Sequence, residues 1–312
     1  MIWALDRLEK RGLAGTVLGT SIMPYCSGLS NLMFAFALAS KRGSKGGLVL
    51  ENCLVNNITN LTLILGLPTL IWGMELIPSK KAAKNPKAKP KANKGQTEQH
   101  RLNRLSLLLT LFAALFFTAA LWVTGKNGKI DQSEGMILIG MFLFWQLFQI
   151  FDVLKYNVQS KTKVGFGMWF EIAFVIVGGY FMFNSIDVLI DFLLGLGSGF
   201  VGEGGLGWIS GWVMVIPNAM LAVYYSMRSR SDIAYSSQVG DGHICIPLCI
   251  GLYAIYKPIT VTDDFLLSTY LLMAVSGVHI LVVMFLGRLP KWLGFFFILS
   301  YGYFLYEGLV NV

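Results

Sequence analysis

What this chain has least of is charge. Only 13% of its 312 residues are Asp, Glu, Lys or Arg, against 55% hydrophobic, too little to clothe a water-exposed surface. Cysteine is scarce too. The four present, Cys26, Cys53, Cys245 and Cys249, fall in apolar runs, which argues against a disulfide framework. The sequence has no HExxH, no nucleophile elbow and no Gly-rich phosphate loop. The glycine-rich run Gly195–Gly207 has no strand before it, so it fails the context a dinucleotide site requires. Neither an enzyme nor a cofactor is expected. Met1–Gly12 alternates charged and apolar residues without a separate apolar core and cleavage site, so the first apolar span is expected to stay in place.

Long apolar runs are what is there. They predict an all-α integral membrane protein with about nine transmembrane helices, at about 12–40, 47–75, 105–124, 136–154, 168–194, 206–227, 234–256, 265–286 and 292–307, each long enough for roughly 30 Å of hydrocarbon. Of the 25 Lys and Arg, nineteen lie on the side holding the N-terminus. The positive-inside rule therefore predicts a cytoplasmic N-terminus and a C-terminus on the opposite side. Trp122, Trp208, Trp292 and Tyr301 lie near span ends and fit interfacial anchoring.

One segment breaks the apolar pattern. Ser79–Lys94 carries no aromatic or branched apolar residue and cannot bury a core of its own. It reads as part of a basic cytoplasmic loop, 79–104, that helps fix topology. The sharper reading of Lys80–Lys94 is contact with anionic lipid or an acidic protein surface, where each lysine contributes about 1 kcal/mol at low screening. No aromatic platform interleaves the lysines, which excludes nucleic acid as a partner.

The chain also repeats itself. Asn31 and Asn218 each stand at the mouth of an apolar helix with a basic exit, and each copy is followed by a second, polar-studded apolar segment, Glu51–Asn60 and Ser236–Cys245. Helices 1 and 6 of the expected nine are five spans apart, so the copies enter the membrane from opposite faces as an inverted repeat. The segments are 1–78 (first repeat, helices 1–2), the loop 79–104, 105–156 (helices 3–4), and 168–312 (second half, helices 5–9).

These residues resemble the two alpha repeats of the sodium/calcium exchanger superfamily, the cation/Ca2+ antiporters. In that family each repeat carries a Gly-Thr-Ser-x-Pro-Glu stretch at a helix break, then a Gly-Asn-x-x-Gly-Ser-Asn-Ile-x-Asn/Asp stretch before a Leu-Gly-Leu. Here the first copy reads Cys26 to Asn31, then Glu51 to Asn60, then Leu65-Gly66-Leu67. The second reads Val213 to Asn218, then Ser236 to Cys245, then Ile250-Gly251-Leu252. The resemblance spans nearly the whole chain and implies the exchanger fold with inverted repeats.

The departures carry the functional reading. The resemblance places Asn31 and Asn218 where the family has its two ion-binding glutamates, and Asn60 and Cys245 at its terminal Asn or Asp positions. Asp241 replaces a family serine and restores one negative charge. The candidate vestigial or monovalent ion site is therefore Asn31, Asn56, Asn60, Asn218, Asp241 and Cys245. Ca2+ takes six to eight oxygens and draws its affinity from carboxylate charge, so no high-affinity Ca2+ site is expected. The resemblance also implies that the family's first gating helix is missing and that a membrane-protein partner covers its position. The reading that follows is a structural or regulatory membrane subunit with a neutralised ion site. The alternative is an active antiporter of altered, monovalent Na+ or H+ selectivity.

Other polar residues have plainer readings. Cys245, Cys249, His243 and Asp241, with Cys26 and Cys53 in the matching repeat, suggest a soft-metal site, though buried free cysteine is also a common small apolar residue. His279 reads as a hydrogen-bonded packing residue. Asp152, Glu171, Asp187 and Asp191 are expected to face the protein interior. Asp241 and Glu51 are placed where a proton relay would need an acid, but no spaced chain of acids accompanies them.

Overall fold

The computed structural model of the chain describes residues 23–40, 46–77, 94–157 and 204–309, with isolated positions between 177 and 195. Helix α1 is Met23–Ser40. Helix α2, Gly47–Thr59, runs through a π-helical segment, Asn60–Ile64, into α3, Leu65–Trp72. Then come α4, Lys94–Gly125, and α5, Gln132–Asn157. The second half opens with α6, Gly204–Met227. Its next passage is α7, Ser231–Ile244, a π-helical segment, Cys245–Ile250, and α8, Gly251–Tyr256. Helices α9, Phe265–Phe285, and α10, Lys291–Leu309, complete it.

Six of these passages are long and apolar enough to cross a membrane, and α1 contains a shorter apolar stretch, Gly28–Ser40. The expected span 168–194 falls mostly outside the described residues, as does 12–22, so the count of nine rests on the sequence alone. One boundary is corrected. The expected loop 79–104 is helical from Lys94 onward, because Gln96, Glu98, Gln99 and Arg101 are good helix formers that a search for apolar runs passes over.

The widened π segments have local causes. In the first repeat, Thr59 Oγ1 donates to the Val55 carbonyl at 2.6 Å and Thr62 Oγ1 to that of Ile58 at 2.5 Å, drawing on helix acceptors that the ladder would otherwise use. In the second repeat, Pro247 lies inside the widened turn and has no N–H to give. Different residues thus loosen the same turn. Such bulges collect at functional sites.

Two antiparallel strand pairs expose the inverted symmetry. Strand β1, Met74–Glu75, follows α3; β2, Lys129–Ile130, follows α4; β3, Ile259–Thr260, follows α8; and β4, Arg288–Leu289, follows α9. β1 pairs with β4 and β2 with β3, so exchanging the halves carries one pair onto the other. Gly128 and Gly287, just before β2 and β4, both take positive φ, +85° and +64°, a turn other residues resist.

Helix crossings repeat in the same way. A Cβ at Gly294 of α10 would lie 2.6 Å from the Gly66 carbonyl of α3, and one at Gly135 of α5 would lie 2.9 Å from the Gly251 carbonyl of α8. Only glycine lets these backbones approach so closely. Within the most apolar 18 residues of Gly47–Trp72 and of Ser231–Tyr256, 78% are buried, whereas within those of Gln132–Phe151 only 22% are. The two broken passages form the centre, and α5 is the most exposed of the six spans among the described residues. Helix α5 starts with a reciprocal cap: Asp131 Oδ1 accepts from the Ser133 and Glu134 amides at 2.9 and 3.1 Å, while Glu134 Oε2 accepts from the Asp131 amide at 2.9 Å, which satisfies orphan N–H groups.

Candidate functional site

The π segments bring the mirrored motifs face to face. Asp241, on α7 just before the second break, is fully buried. Its Oδ2 accepts from Asn60 Nδ2 at 3.0 Å, from Asn218 Nδ2 at 3.0 Å and from the Cys245 thiol at 3.6 Å. Asn60 Nδ2 also reaches Asn56 Oδ1 at 2.9 Å, and Asn56 Nδ2 donates to Asn31 Oδ1 at 3.3 Å. All six residues singled out from the sequence therefore lie in one buried network, drawn from α1, α2, α6, α7 and both π segments.

The hydrogen-bond directions follow from the chemistry. Asp241 Oδ2 is the acceptor of both bonds, so Asn60 and Asn218 turn their nitrogens toward it and their oxygens away. Asn60 Oδ1 and Asn218 Oδ1 are left buried without a partner, as is Asn31 Nδ2. Hydrogen bonds to a charged group contribute about 1.5–3 kcal/mol each, so two amides go far toward compensating one carboxylate. They offer nothing comparable to a dication. Among the described residues no cluster of three or more His, Cys, Asp or Glu could hold a metal ion.

Backbone approach shapes the centre. A Cβ at Gly28 of α1 would lie 3.2 Å from Asp241 Oδ1 and 2.9 Å from Ile244 Cβ, and one at Gly242 would lie 2.9 Å from Asn57 Oδ1. Helices α1 and α7 therefore touch where Asp241 sits. The side chains of Cys26 and Ser27 lie outside the described residues.

Sequence reasoning missed Gln238. Its Nε2 donates to the Asn218 carbonyl at 3.2 Å and to Ser237 Oγ at 3.0 Å, while its Oε1 is buried without a partner. Spacing could have found it, since Gln238 stands three residues before Asp241 on the same face of α7. Asn52 was also missed: its Nδ2 donates to Ser210 Oγ of α6 at 3.1 Å.

The soft-metal grouping is only partly assembled. Cys53 interacts with both Cys245 and Cys249, and all three are free thiols. His243 turns elsewhere. Its Nδ1 accepts from the Trp145 indole at 3.0 Å and its Nε2 lies 2.9 Å from the Thr110 carbonyl. An indole N–H only donates and a carbonyl only accepts, so His243 is the neutral Nε2–H tautomer with both nitrogens engaged. His279 packs as read from the sequence, with Nε2 on the Leu61 carbonyl at 3.0 Å and Nδ1 on Tyr235 Oη at 2.9 Å. Leu61 lies in the first π segment, where the altered ladder makes a carbonyl available.

The architecture matches solved structures. The sodium-calcium exchanger NCX_Mj, soaked with 2.5 mM Na+ and 0.1 mM Ca2+, superposes with a TM-score of 0.68 at 15% identity, covering 99% of this chain and 92% of that one. The same exchanger soaked with 2.5 mM Na+ and 10 mM Sr2+ gives 0.69 at 15% identity over 96% and 90%, and with zero Na+ and Ca2+ it gives 0.65 at 17% over 96% and 89%. At such identity the likeness speaks to fold. No curated protein matches the chain. The sodium/calcium exchanger protein family matches residues 1–151 and 163–307. With nearly the whole sequence matched and the inverted repeats meeting at paired helix breaks, the chain belongs to the sodium/calcium exchanger family of membrane proteins.

Proposed function

We propose that this chain is an exchanger-family protein whose ion site is closed by its own side chains, and that it serves as a structural or regulatory subunit of a membrane complex rather than as a Ca2+ exchanger. One observation carries the reading: Asp241 Oδ2 accepts amide N–H groups from both repeats, through Asn60 and Asn218. Partial positive charge on fixed amides stands where a mobile cation would otherwise neutralise the carboxylate. A dication entering would break both bonds and meet only one formal charge, and uncompensated charge at bilayer depth costs several kcal/mol. The reading carries a membrane-protein partner. It also carries anionic lipid or an acidic protein surface at Lys80–Lys94, a segment outside the described residues apart from the helical Lys94. An N-terminus facing the cytoplasm belongs to the same proposal.

A monovalent reading has its own support in the buried, unpartnered oxygens Asn60 Oδ1, Asn218 Oδ1 and Gln238 Oε1 near the single charge of Asp241. Rotated inward, such amides would suit Na+, whose one charge Asp241 matches. Ion flux through the purified chain in proteoliposomes separates the two. The subunit reading expects no gradient-driven uptake of Ca2+, Na+ or H+ and co-purification of a membrane partner in mild detergent. Na+- or H+-driven flux abolished by Asp241→Asn would establish the monovalent antiporter, and Ca2+ uptake would overturn both.

A further inference from the structure

One carboxyl group stands apart from the central network. Glu51 lies on α2, more than one turn before Asn56, where its repeat counterpart is the uncharged Ser236. It is 8% exposed, and its Oε2 is buried without a hydrogen-bond partner. The groove that holds it is made by glycine: a Cβ at Gly207 of α6 would run into Glu51 Oε2 and approach its Cβ at 2.5 Å, while one at Gly211 would lie 2.9 Å from Val55 Cβ and 3.1 Å from the Asn52 carbonyl. The spacing Gly207-x-x-x-Gly211 thus lets α2 lie directly on α6, with Glu51 filling the notch.

Among the described residues, the charges that act on Glu51 are of one sign. They come from the acids Asp264 and Asp263, just before α9. Thr262 of the same approach leans on α2 one turn before Glu51, where a Cβ at Gly47 would lie 3.1 Å from Thr262 Cγ2. Helix α6 carries no Asp, Glu, Lys, Arg or His. Burial pushes the Asp264 carboxyl above its ordinary value, and repulsion from Asp263 adds to it. Asp241 meets amide donors, but Glu51 Oε2 meets none among the described residues.

A buried carboxylate without donors or counter-charge sheds its charge by taking a proton, and a lone acid inside a membrane span points to function before packing. We propose that Glu51 is a proton-binding site of the α2–α6 crossing, held as the neutral acid while the helices are closed and ionised only when the crossing opens to water. Helix α2 also carries Asn52 and Asn56 and leads directly into Asn60, so release of this proton is coupled to movement of the centre. A metal ion is the poorer occupant, because no three acids among the described residues are arranged to hold one. The site is separate from the central network and does not depend on whether that network carries an ion.

Difference infrared spectroscopy on the full chain in phosphatidylcholine vesicles reads this directly. The expected result is a protonated-carboxyl carbonyl band that fades as the pH is raised, is missing in folded Glu51→Gln, and is unchanged by Na+ or Ca2+ at fixed pH. Removing a neighbouring negative charge eases ionisation, so Asp264→Asn should move the fading to lower pH. Identical spectra for the wild type and folded Glu51→Gln would overturn the assignment, and so would loss of the band on adding Ca2+ at constant pH. If Glu51→Gln does not fold, Asp264→Asn decides, and an unmoved band would count against the site.

Discussion

The two repeats share a backbone and divide the chemistry. Each broken passage has the same length, the same depth of burial and a π segment at its middle. In the first repeat the polar residues at the break are amides, Asn31, Asn56 and Asn60. The second holds Asn218, Gln238, the single acid Asp241 and the thiol Cys245. At Asp241 Oδ2 the first repeat donates through Asn60 and the second through Asn218, while the acceptor comes from the second alone. A symmetric scaffold can therefore hold an asymmetric site, because backbone geometry follows from glycine, proline and hydroxyl placement, while ion affinity follows from the number of carboxylates.

Restoring the missing acids should break this division most. Asn31→Glu with Asn218→Glu would gather three carboxylates with Asp241. Calorimetry should then register Ca2+ binding at about 10⁻⁴ M or tighter where the wild type shows none. An unchanged null titration of the folded variant would mean that these positions do not face a common centre. Asp241→Leu tests the other side of the comparison. Leaving the Asn60 and Asn218 amides without their shared acceptor should cost about 3 kcal/mol, read as a fall in thermal midpoint in detergent. A midpoint that rises would mean that the buried charge costs more than its hydrogen bonds return.

The shared scaffold has its own test. Gly135→Ala and Gly294→Ala place a methyl against backbone on mirrored crossings, so both should destabilise, by about 1–3 kcal/mol. Gly294→Ala should be the worse, since its contacts with Leu70 N and the Gly66 carbonyl would be 2.5 and 2.6 Å. Gly140→Ala, with nothing within 4 Å, is the helical control and should be neutral or slightly stabilising.

The smallest effect lies at the α5 cap, outside the membrane. The Ser133 hydroxyl, then the Glu134 amide, hold the Asp131 carboxyl below its ordinary value. A carboxyl lowered in the folded state contributes stability above its unfolded pKa, about 3.9, and loses it as pH falls through the folded value. Asp131→Ala should lower the thermal midpoint slightly at neutral pH, where the cap is intact, and flatten the acid limb so that the two proteins converge at low pH.

Much of this was visible in the residues themselves. Apolar runs marked 47–75, 206–227, 234–256 and 265–286 as helices because a bilayer demands length and hydrophobicity, and described helices occupy those segments. The repeat signature paired Asn31 with Asn218 before any distance was known. The helical start at Lys94 was hidden because it is polar, and the strand pairs because two-residue strands have no periodicity to detect. Gln238 and Asn52 escaped attention because their roles depend on which face of a neighbouring helix they meet.

The sequence alone decided the solvent, the duplication and the charge count at the motifs, since these depend only on which residues are present and in what order. Tertiary structure decided direction: which amide turns its nitrogen to Asp241, which carbonyl His279 meets, and that Glu51 packs against Gly207 with its Oε2 unpartnered among the described residues. Hydrogen bonds and burial are properties of distance between segments far apart in the chain, and no local pattern encodes them.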